Sequence, residues 1–503
     1  MFESRRSDHS FPREPRGNEC QARPRDSDLR AGAAGESTGP DAQMNAKARL
    51  VCAASNTRCA LRDMLAHIHP SHSFGSKMPD GTATAHLYRP KLATTFREGY
   101  GFGDFRADVL AGLTVAIVAL PLSMAIAVAS GVSPERGLFT AIVGGFLVSA
   151  LGGSRFQIGG PAGAFIVLVA ATEAKFGLEG LLLTVLLSGL MLTLLGVLRL
   201  GSLIRHIPHA VTVGFTCGIA VTILASQLKE LGGLRLVVAE PGPFFPKLAV
   251  LLAALPTVNP GALAVGLGSA ALIFAIRWLR PAWPGMLLAV VAASLAVRLL
   301  HLPVETIGSH FGGLPHGLPM PHLPVVTAQR LLQILPAALS FTLLGGVESL
   351  LSAKVADSMT GRKHRSNMEL VAQGIANMAS ALFGGIRVTG TIARTATNVR
   401  AGAHSPMSGI LHAGFLLLFL LVAAPLASFV PLAALAGVLV VVCWNMAEKK
   451  EVWRLLHYWR EAAVLLVTFG LTMFKDLTWG IVAGCLLAAL FAALRRGIAE
   501  EGA

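Results

Sequence analysis

The sequence predicts an all-α polytopic membrane protein whose fourteen transmembrane segments form a 7+7 inverted repeat, and three observations carry that prediction. Only 14% of the 503 residues are charged while 53% are apolar, and the mean hydropathy is +0.62. Soluble domains carry about 25% charged residues. Apolar stretches long enough for a bilayer recur from Arg106 to the end of the chain. Two of the segments are short, are broken by glycine, and hold matching positions in the two halves.

The same numbers exclude several classes. A soluble enzyme, a nucleic-acid binder and a secreted disulfide scaffold all need a charge or cysteine pattern this chain lacks. Residues 1–100 hold 15 of the 42 Lys and Arg and 11 of the 28 Asp and Glu, so the remaining 403 residues are sparsely charged. The net charge of +14 is not gathered into a nucleic-acid patch. It sits in short loops between apolar stretches, where the positive-inside rule places it. Cys217, Cys443 and Cys485 fall inside apolar stretches and read as small hydrophobes. Cys52 and Cys59 have no matching second pair for a metal. No carboxylate dyad, nucleophile triad or zinc spacing appears, so the chain is not expected to be an enzyme.

Residues 1–96 are rich in Arg, Asp, Ser, Gly and Pro without a sustained apolar period. Such composition cannot offset chain entropy by burial, and a disordered extension is expected there. The membrane domain is expected over 97–497, followed by a short cytoplasmic tail, 498–503. Its segments fall near 107–130, 136–152, 159–173, 177–198, 206–227, 260–278, 283–300, 331–356, 368–384, 390–402, 406–428, 430–446, 462–476 and 479–496. With both termini cytoplasmic, the inner side receives the most basic short loop, Gly361-Arg362-Lys363-His364-Arg365. The expected location is the inner (plasma) membrane.

Segments 159–173 and 390–402 are too short for a hydrocarbon core about 30 Å thick. They open on Gly159-Gly160-Pro161-Ala162-Gly163 and Thr389-Gly390-Thr391. They are the third and tenth of fourteen, so each is third in its set of seven. Paired interrupted segments at corresponding positions point to an inverted-repeat transporter. If two half-helices meet head to head, their N-termini offer unpaired N–H groups and partial positive charge to one cavity. The small residues Ala162, Gly163, Gly390 and Ala393 would let an anion approach the backbone, although small residues also serve plain helix packing.

Arg394 follows in the first turn of the tenth segment. A guanidinium deep in a membrane faces the protein interior, and its fork suits a carboxylate, sulfate or bicarbonate. Glu348 is the other deep ionisable group, with Ser352 four residues on along the same helix face. That pair could bind Na⁺, Glu348 alone could carry a proton, or Glu348 could simply pair with Arg394 or Arg387. The proton is the favoured reading. His206 and His209 flank Pro208 and read as interfacial.

Several segments resemble the sulfate permease (SulP) family of anion transporters. The matching stretches are Ser154-Arg155-Phe156-Gln157-Ile158-Gly159-Gly160-Pro161, His206 through Gly218, Asp357-Ser358-Met359-Thr360-Gly361 through Asn367-Met368-Glu369-Leu370, and Thr389-Gly390-Thr391-Ile392-Ala393-Arg394-Thr395-Ala396-Thr397-Asn398. Within that family, the run Ile392 to His412 looks most like the bacterial C4-dicarboxylic acid transporter branch. The resemblance implies a core (gate) domain of 107–198 and 331–428 and a scaffold of 206–300 and 430–496. It implies elevator-like movement of the core against the scaffold. It places the anion site at Ala162 and Gly163 on the third segment and at Ile392, Ala393 and Arg394 on the tenth, with Glu348 and Ser352 at the ion-coupling position. Three departures stand out: Pro121 is followed by Leu122 where the family often has Gln or Glu, Arg387 stands where it often has proline, and the STAS domain expected after the last span is absent.

The expected function is therefore proton-coupled secondary active transport of sulfate or a C4-dicarboxylate such as succinate or fumarate. Na⁺-driven bicarbonate symport, a nucleobase:cation symporter on the same fold, and an uncoupled anion channel or membrane motor are the alternatives. Arg394 argues against the nucleobase. No cofactor and no metal are expected, only H⁺ or Na⁺ as coupling ion. The partners are a small inorganic or organic anion and the lipid bilayer, with a homodimer left open and no nucleic acid.

Overall fold

The computed structural model describes residues 88–201, 208–238, 241, 244–281, 283–475 and 477–501. The expected disorder of 1–96 lies outside the described residues as far as 87, as do Cys52, Cys59 and His206. Residues 88–96 differ from that expectation. Lys91–Glu98 is a helix whose first N–H, from Lys91, donates to Gly152 O at 2.9 Å. Arg365 Nη1 holds it from the other side, donating to Arg89 O at 2.7 Å and Thr94 Oγ1 at 3.0 Å. Composition averaged over a long polar segment hid one amphipathic turn pair that docks.

Fourteen spans follow among the described residues. Span 1 is Phe102–Ala129, and span 2 runs through Pro134–Phe139, a π-helical turn Thr140–Gly144 and Gly145–Leu151. Spans 3 and 4 are one helix, Ile166–Val197, broken at Gly177, whose φ of 67° and ψ of 179° are non-helical. Spans 5, 6 and 7 are His209–Gly232, Pro260–Leu279 and Gly285–Leu299. Span 8, Ala328–Thr360, is 33 residues long and stops at Gly361 in the left-handed region. Span 9 is Ser366–Leu382, span 10 Ile392–Arg400, and span 11 Met407–Val422 continued by Ala424–Ala427. Spans 12, 13 and 14 are Leu432–Met446, Trp459–Phe474 and Leu477–Glu501. The last helix continues to Glu501, into the stretch read as a tail.

Local chemistry sets several of these ends. Asn259 caps span 6 by accepting from Gly261 N and Ala262 N, with Pro260 at the first helical position. Thr327 caps span 8 by accepting from Arg330 N. Short helices that the hydropathy reading did not resolve, Phe244–Ala253, Ile307–Phe311 and Lys449–Leu456, occupy connections. They are too short to cross a bilayer.

The spans pack in two sets. Span 9 lies on the helix of spans 3 and 4, span 8 on that helix and on span 10, and span 11 on spans 1 and 2. In the other set, span 13 packs on spans 5 and 14, span 12 on spans 5 and 6, and span 6 on span 7. Span 1 touches spans 7 and 12, where the two sets meet.

The chain breaks that precede spans 3 and 10 are joined. β1, Gly159–Gly160, pairs antiparallel with β2, Thr389–Gly390, with Gly159 opposite Gly390 and Gly160 opposite Thr389. Because the pair is antiparallel, the chain leaves it in opposite directions into the two helices. Both expected half-helices are therefore present, and a two-residue ladder joins them.

Candidate functional site

The site is built on that ladder. After β1, Ala162 is extended and a tight turn, Gly163–Phe165, starts span 3; after β2, extended Thr391 starts span 10. No side chain caps either start. The Gly163 and Ala164 N–H groups of span 3 and those of Ile392, Ala393 and Arg394 in span 10 precede the first internal bonds, Phe165 N to Ala162 O and Thr395 N to Thr391 O, and lie at the positive end of each helix dipole. The Thr391 hydroxyl is buried and has no partner.

Backbone and side-chain contacts hold the two starts in register. Thr391 N donates to Ile158 O, and Ile158 N donates to Thr395 Oγ1. Asn398 Nδ2 reaches Phe156 O and Ser408 Oγ, each at 2.9 Å. Span 8 runs alongside: Ser349 Oγ lies 2.7 Å from Thr389 Oγ1, Ser352 Oγ donates to Thr395 Oγ1 at 3.0 Å, and Gln157 Nε2 donates to Ser349 O at 3.1 Å. Positions 349 and 352 thus lie on one face of span 8 against β2 and span 10.

The residues read from sequence are distributed over this frame as follows. Ala162 is buried and Gly163 partly so; a Cβ on Gly163 would meet Met446 Sδ of span 12 at 3.4 Å and Ile223 Cδ1 of span 5 at 3.8 Å. The start of span 3 therefore faces the second set of helices. Ile392, 38% exposed, and Ala393 are open. Arg394 points the other way and is 2% exposed. Its Nη2 donates to Ser123 Oγ of span 1 at 3.2 Å, while Nε and Nη1 are buried without a partner. Its guanidinium is aimed end-on at Gly160, where any Cβ would fall 1.8 Å from Nη1.

Glu348 is partly buried, and its Oε2 has no hydrogen-bond partner. No ion pair within 4 Å joins it to Arg394 or Arg387 among the described residues. Ser352, four residues on from Glu348 in span 8, donates its hydroxyl hydrogen to Thr395 Oγ1 of span 10.

Four groups in this region escaped the sequence reading. Ser123 supplies the polar contact from span 1 that Leu122 cannot. Gln157 lies against Gly390, leaving its Oε1 unpartnered. His412 of span 11 is fully buried with neither ring nitrogen bonded. Arg387, read from sequence as an unusual residue and as one ion-pair partner for Glu348, is 1% exposed. The signal available for Ser123 was its place two residues after Pro121, a helix-interior proline that frees a backbone acceptor. Sequence offered none for the burial of His412.

Chemically, this arrangement can attract an anion. It combines two uncapped helix starts with buried, under-bonded guanidinium in low dielectric, where charge-assisted bonds are strongest.

The sequence model of the Sulfate permease family matches residues 105–468. "Putative sulfate transporter YvdB" of Bacillus subtilis is 45% identical over 397 residues, covering 78% of this chain and 74% of that one. The bicarbonate transporter BicA of a Picosynechococcus strain is 33% identical over 407 residues, covering 77% and 70%. Among solved structures, the transmembrane domain of a cyanobacterial BicA superposes with a TM-score of 0.66 at 29% identity, covering 76% of this chain and 98% of that one. The chain belongs to the sulfate permease family of membrane anion transporters.

Proposed function

We propose that this protein is a secondary active carrier that takes up sulfate through the plasma membrane, with both termini on the cytoplasmic side. The observation that carries the reading is the pairing of β1 with β2, which aims two uncapped helix starts at one place beside buried Arg394. The anion enters past open Ile392 and Ala393 and is held by the first-turn N–H groups near Ala162 and Gly163. Arg394 supplies fixed positive charge behind Gly160. Sulfate ranks ahead of a C4-dicarboxylate because the 45% identical relative carries a sulfate name.

Glu348 is the coupling group. A carboxylate in a desolvated site takes up a proton readily. H⁺ is favoured over Na⁺ because the buried Oε2 of Glu348 has no hydrogen-bond partner among the described residues, and a desolvated carboxylate lowers its cost by taking up a proton. Spans 1–4 and 8–11 move as the core, and spans 5–7 and 12–14 stay as the scaffold. Gly163 faces Met446 and Ile223 of the scaffold, so an elevator-like shift of the core changes what covers the site. Na⁺-driven bicarbonate uptake is the second reading, favoured by the 33% identity to a bicarbonate transporter.

Purified protein in proteoliposomes, offered labelled sulfate, bicarbonate, succinate and fumarate under pH or Na⁺ gradients, decides between them. Saturable sulfate accumulation that follows the pH gradient and is lost in Glu348→Gln is expected. Bicarbonate accumulation driven by Na⁺ alone would replace this reading with the second one. Non-saturating flux that never concentrates any anion would make the protein a channel.

A further inference from the structure

Arg387 lies two residues before β2, outside the residues assigned above to anion binding, and with Arg394 is one of the two largest almost fully buried side chains among the described residues. Its surroundings are built to receive a guanidinium. Nη1 donates to Ser188 Oγ of span 4 at 3.0 Å, and the group lies 5.4 Å from the centre of the Phe165 ring in the turn that starts span 3. Gly345 of span 8 leaves the space: a Cβ there would fall 1.8 Å from Nη2. Nε and Nη2 are buried without a hydrogen-bond partner among the described residues.

A buried cation that merely held the fold together would be expected to find a carboxylate or a set of carbonyls. Arg387 has one hydroxyl and one aromatic face. Glu348 lies one turn beyond Gly345 on the same side of span 8, yet forms no ion pair with Arg387 within 4 Å. The three charged groups around the ladder are Arg387, Arg394 and Glu348. With the carboxylate ionised they sum to one positive charge, and to none if Arg387 were neutral.

We infer that Arg387 is a specificity-determining residue, the second fixed positive charge that makes the site prefer a tetrahedral or carboxylate dianion over a monoanion. The inference rests on the carrier reading above and names the substrate class of the same site. A dianion brings two charges into a low-dielectric cradle, and one guanidinium offset by Glu348 leaves it under-compensated. A monoanion needs only the helix starts and Arg394. Arg387 acts through charge at short range and through the Phe165 turn it touches, which bears the first N–H groups of span 3. Ser188 positions it.

The test compares uptake of labelled sulfate and labelled bicarbonate by wild type, Arg387→Gln, Arg387→Lys and Ser188→Ala in proteoliposomes. Arg387→Gln is expected to lower the sulfate-to-bicarbonate ratio of kcat/KM by about tenfold or more, through the sulfate KM, as loss of one charge-assisted contact implies. Arg387→Lys should restore most of the ratio. Ser188→Ala, which keeps the charge but frees the side chain, should lower it less. If Arg387→Gln does not fold, Ser188→Ala still decides, since an unchanged ratio there overturns the inference. Equal loss of both anions in Arg387→Gln assigns the residue a purely structural role and also overturns it. Wild type that accumulates neither anion overturns the carrier reading and this inference together. Wild type that accumulates either one, with a ratio indifferent to Arg387, overturns this inference alone.

Discussion

Three carboxylates enclosed by this fold live in opposite circumstances. Asp108 of span 1 accepts from Tyr100 Oη at 2.8 Å, from His404 N at 2.7 Å, from Ser405 N at 3.1 Å and from the Ser405 hydroxyl. Glu369 of span 9 accepts from Gly153 N, Ser154 N and Gln373 Nε2, all within 3.1 Å. Glu348 has none of this: one oxygen is buried and bare, and the two guanidiniums around it keep unpaired nitrogens. Buried polar groups are ordinarily satisfied, because an orphaned one costs about 1–3 kcal/mol and a charge more. Asp108 and Glu369 stitch loops to helices and are saturated. The ladder region holds its charges under-bonded, as a site must if a passing anion is to complete them.

The contrast predicts different consequences for substitution. The largest effect on transport belongs to Arg394→Gln. Losing a charge-assisted contact worth about 1.5–3 kcal/mol should weaken sulfate binding by roughly one to two orders of magnitude. Thermal stability of the purified protein should fall little or rise, since an unsatisfied buried charge is removed. Substantial unfolding with unchanged affinity would make Arg394 structural and erase the contrast.

Asp108→Ala should behave in the opposite way. It strands the His404 and Ser405 N–H groups and the Tyr100 hydroxyl, and should cost about 3 kcal/mol of stability. The thermal midpoint in detergent should drop while the sulfate KM of the surviving fold stays within about twofold. A tenfold change in KM at full stability would place Asp108 in the transport machinery.

The smallest effect is expected at the helix Lys91–Glu98. Glu98 accepts a hydrogen bond from Arg155, also lies 3.8 Å from Arg362, and has its pKa held below the ordinary carboxylate range by Arg155. Its folded pKa being lowered, its stabilisation is fully present above the ordinary value near 4.5 and fades as pH falls through the depressed one. Glu98→Gln should therefore cost a small, constant amount of stability between about pH 8 and 6, and nothing once wild type is protonated too. A difference that grows on acidification would contradict the sign.

Much of this was legible in the chain itself, and the reason is chemical. Gly159-Gly160 and Thr389-Gly390 announce broken helices because glycine interrupts otherwise apolar runs, and their matching place in two sets of seven gives them a common destination. The span boundaries followed from apolar length, which a bilayer enforces. What stayed hidden was direction and company. Periodicity put Glu348 and Ser352 on one face of span 8 but could not say that span 10 would take up the serine. Arg387 read as an oddity because nothing in sequence reveals that Gly345, far along the chain, leaves room for its guanidinium. The helix Lys91–Glu98 was lost in a polar average, since docking on Gly152 and Arg365 is tertiary.

Equilibrium binding of labelled sulfate to purified protein, wild type beside Arg394→Gln and Asp108→Asn, bears most directly on the central idea that under-bonded charge at the paired helix starts is what receives the anion. Saturable binding that collapses by at least about tenfold in Arg394→Gln and is retained in folded Asp108→Asn is the predicted result. Sulfate held equally well by wild type and Arg394→Gln would contradict it.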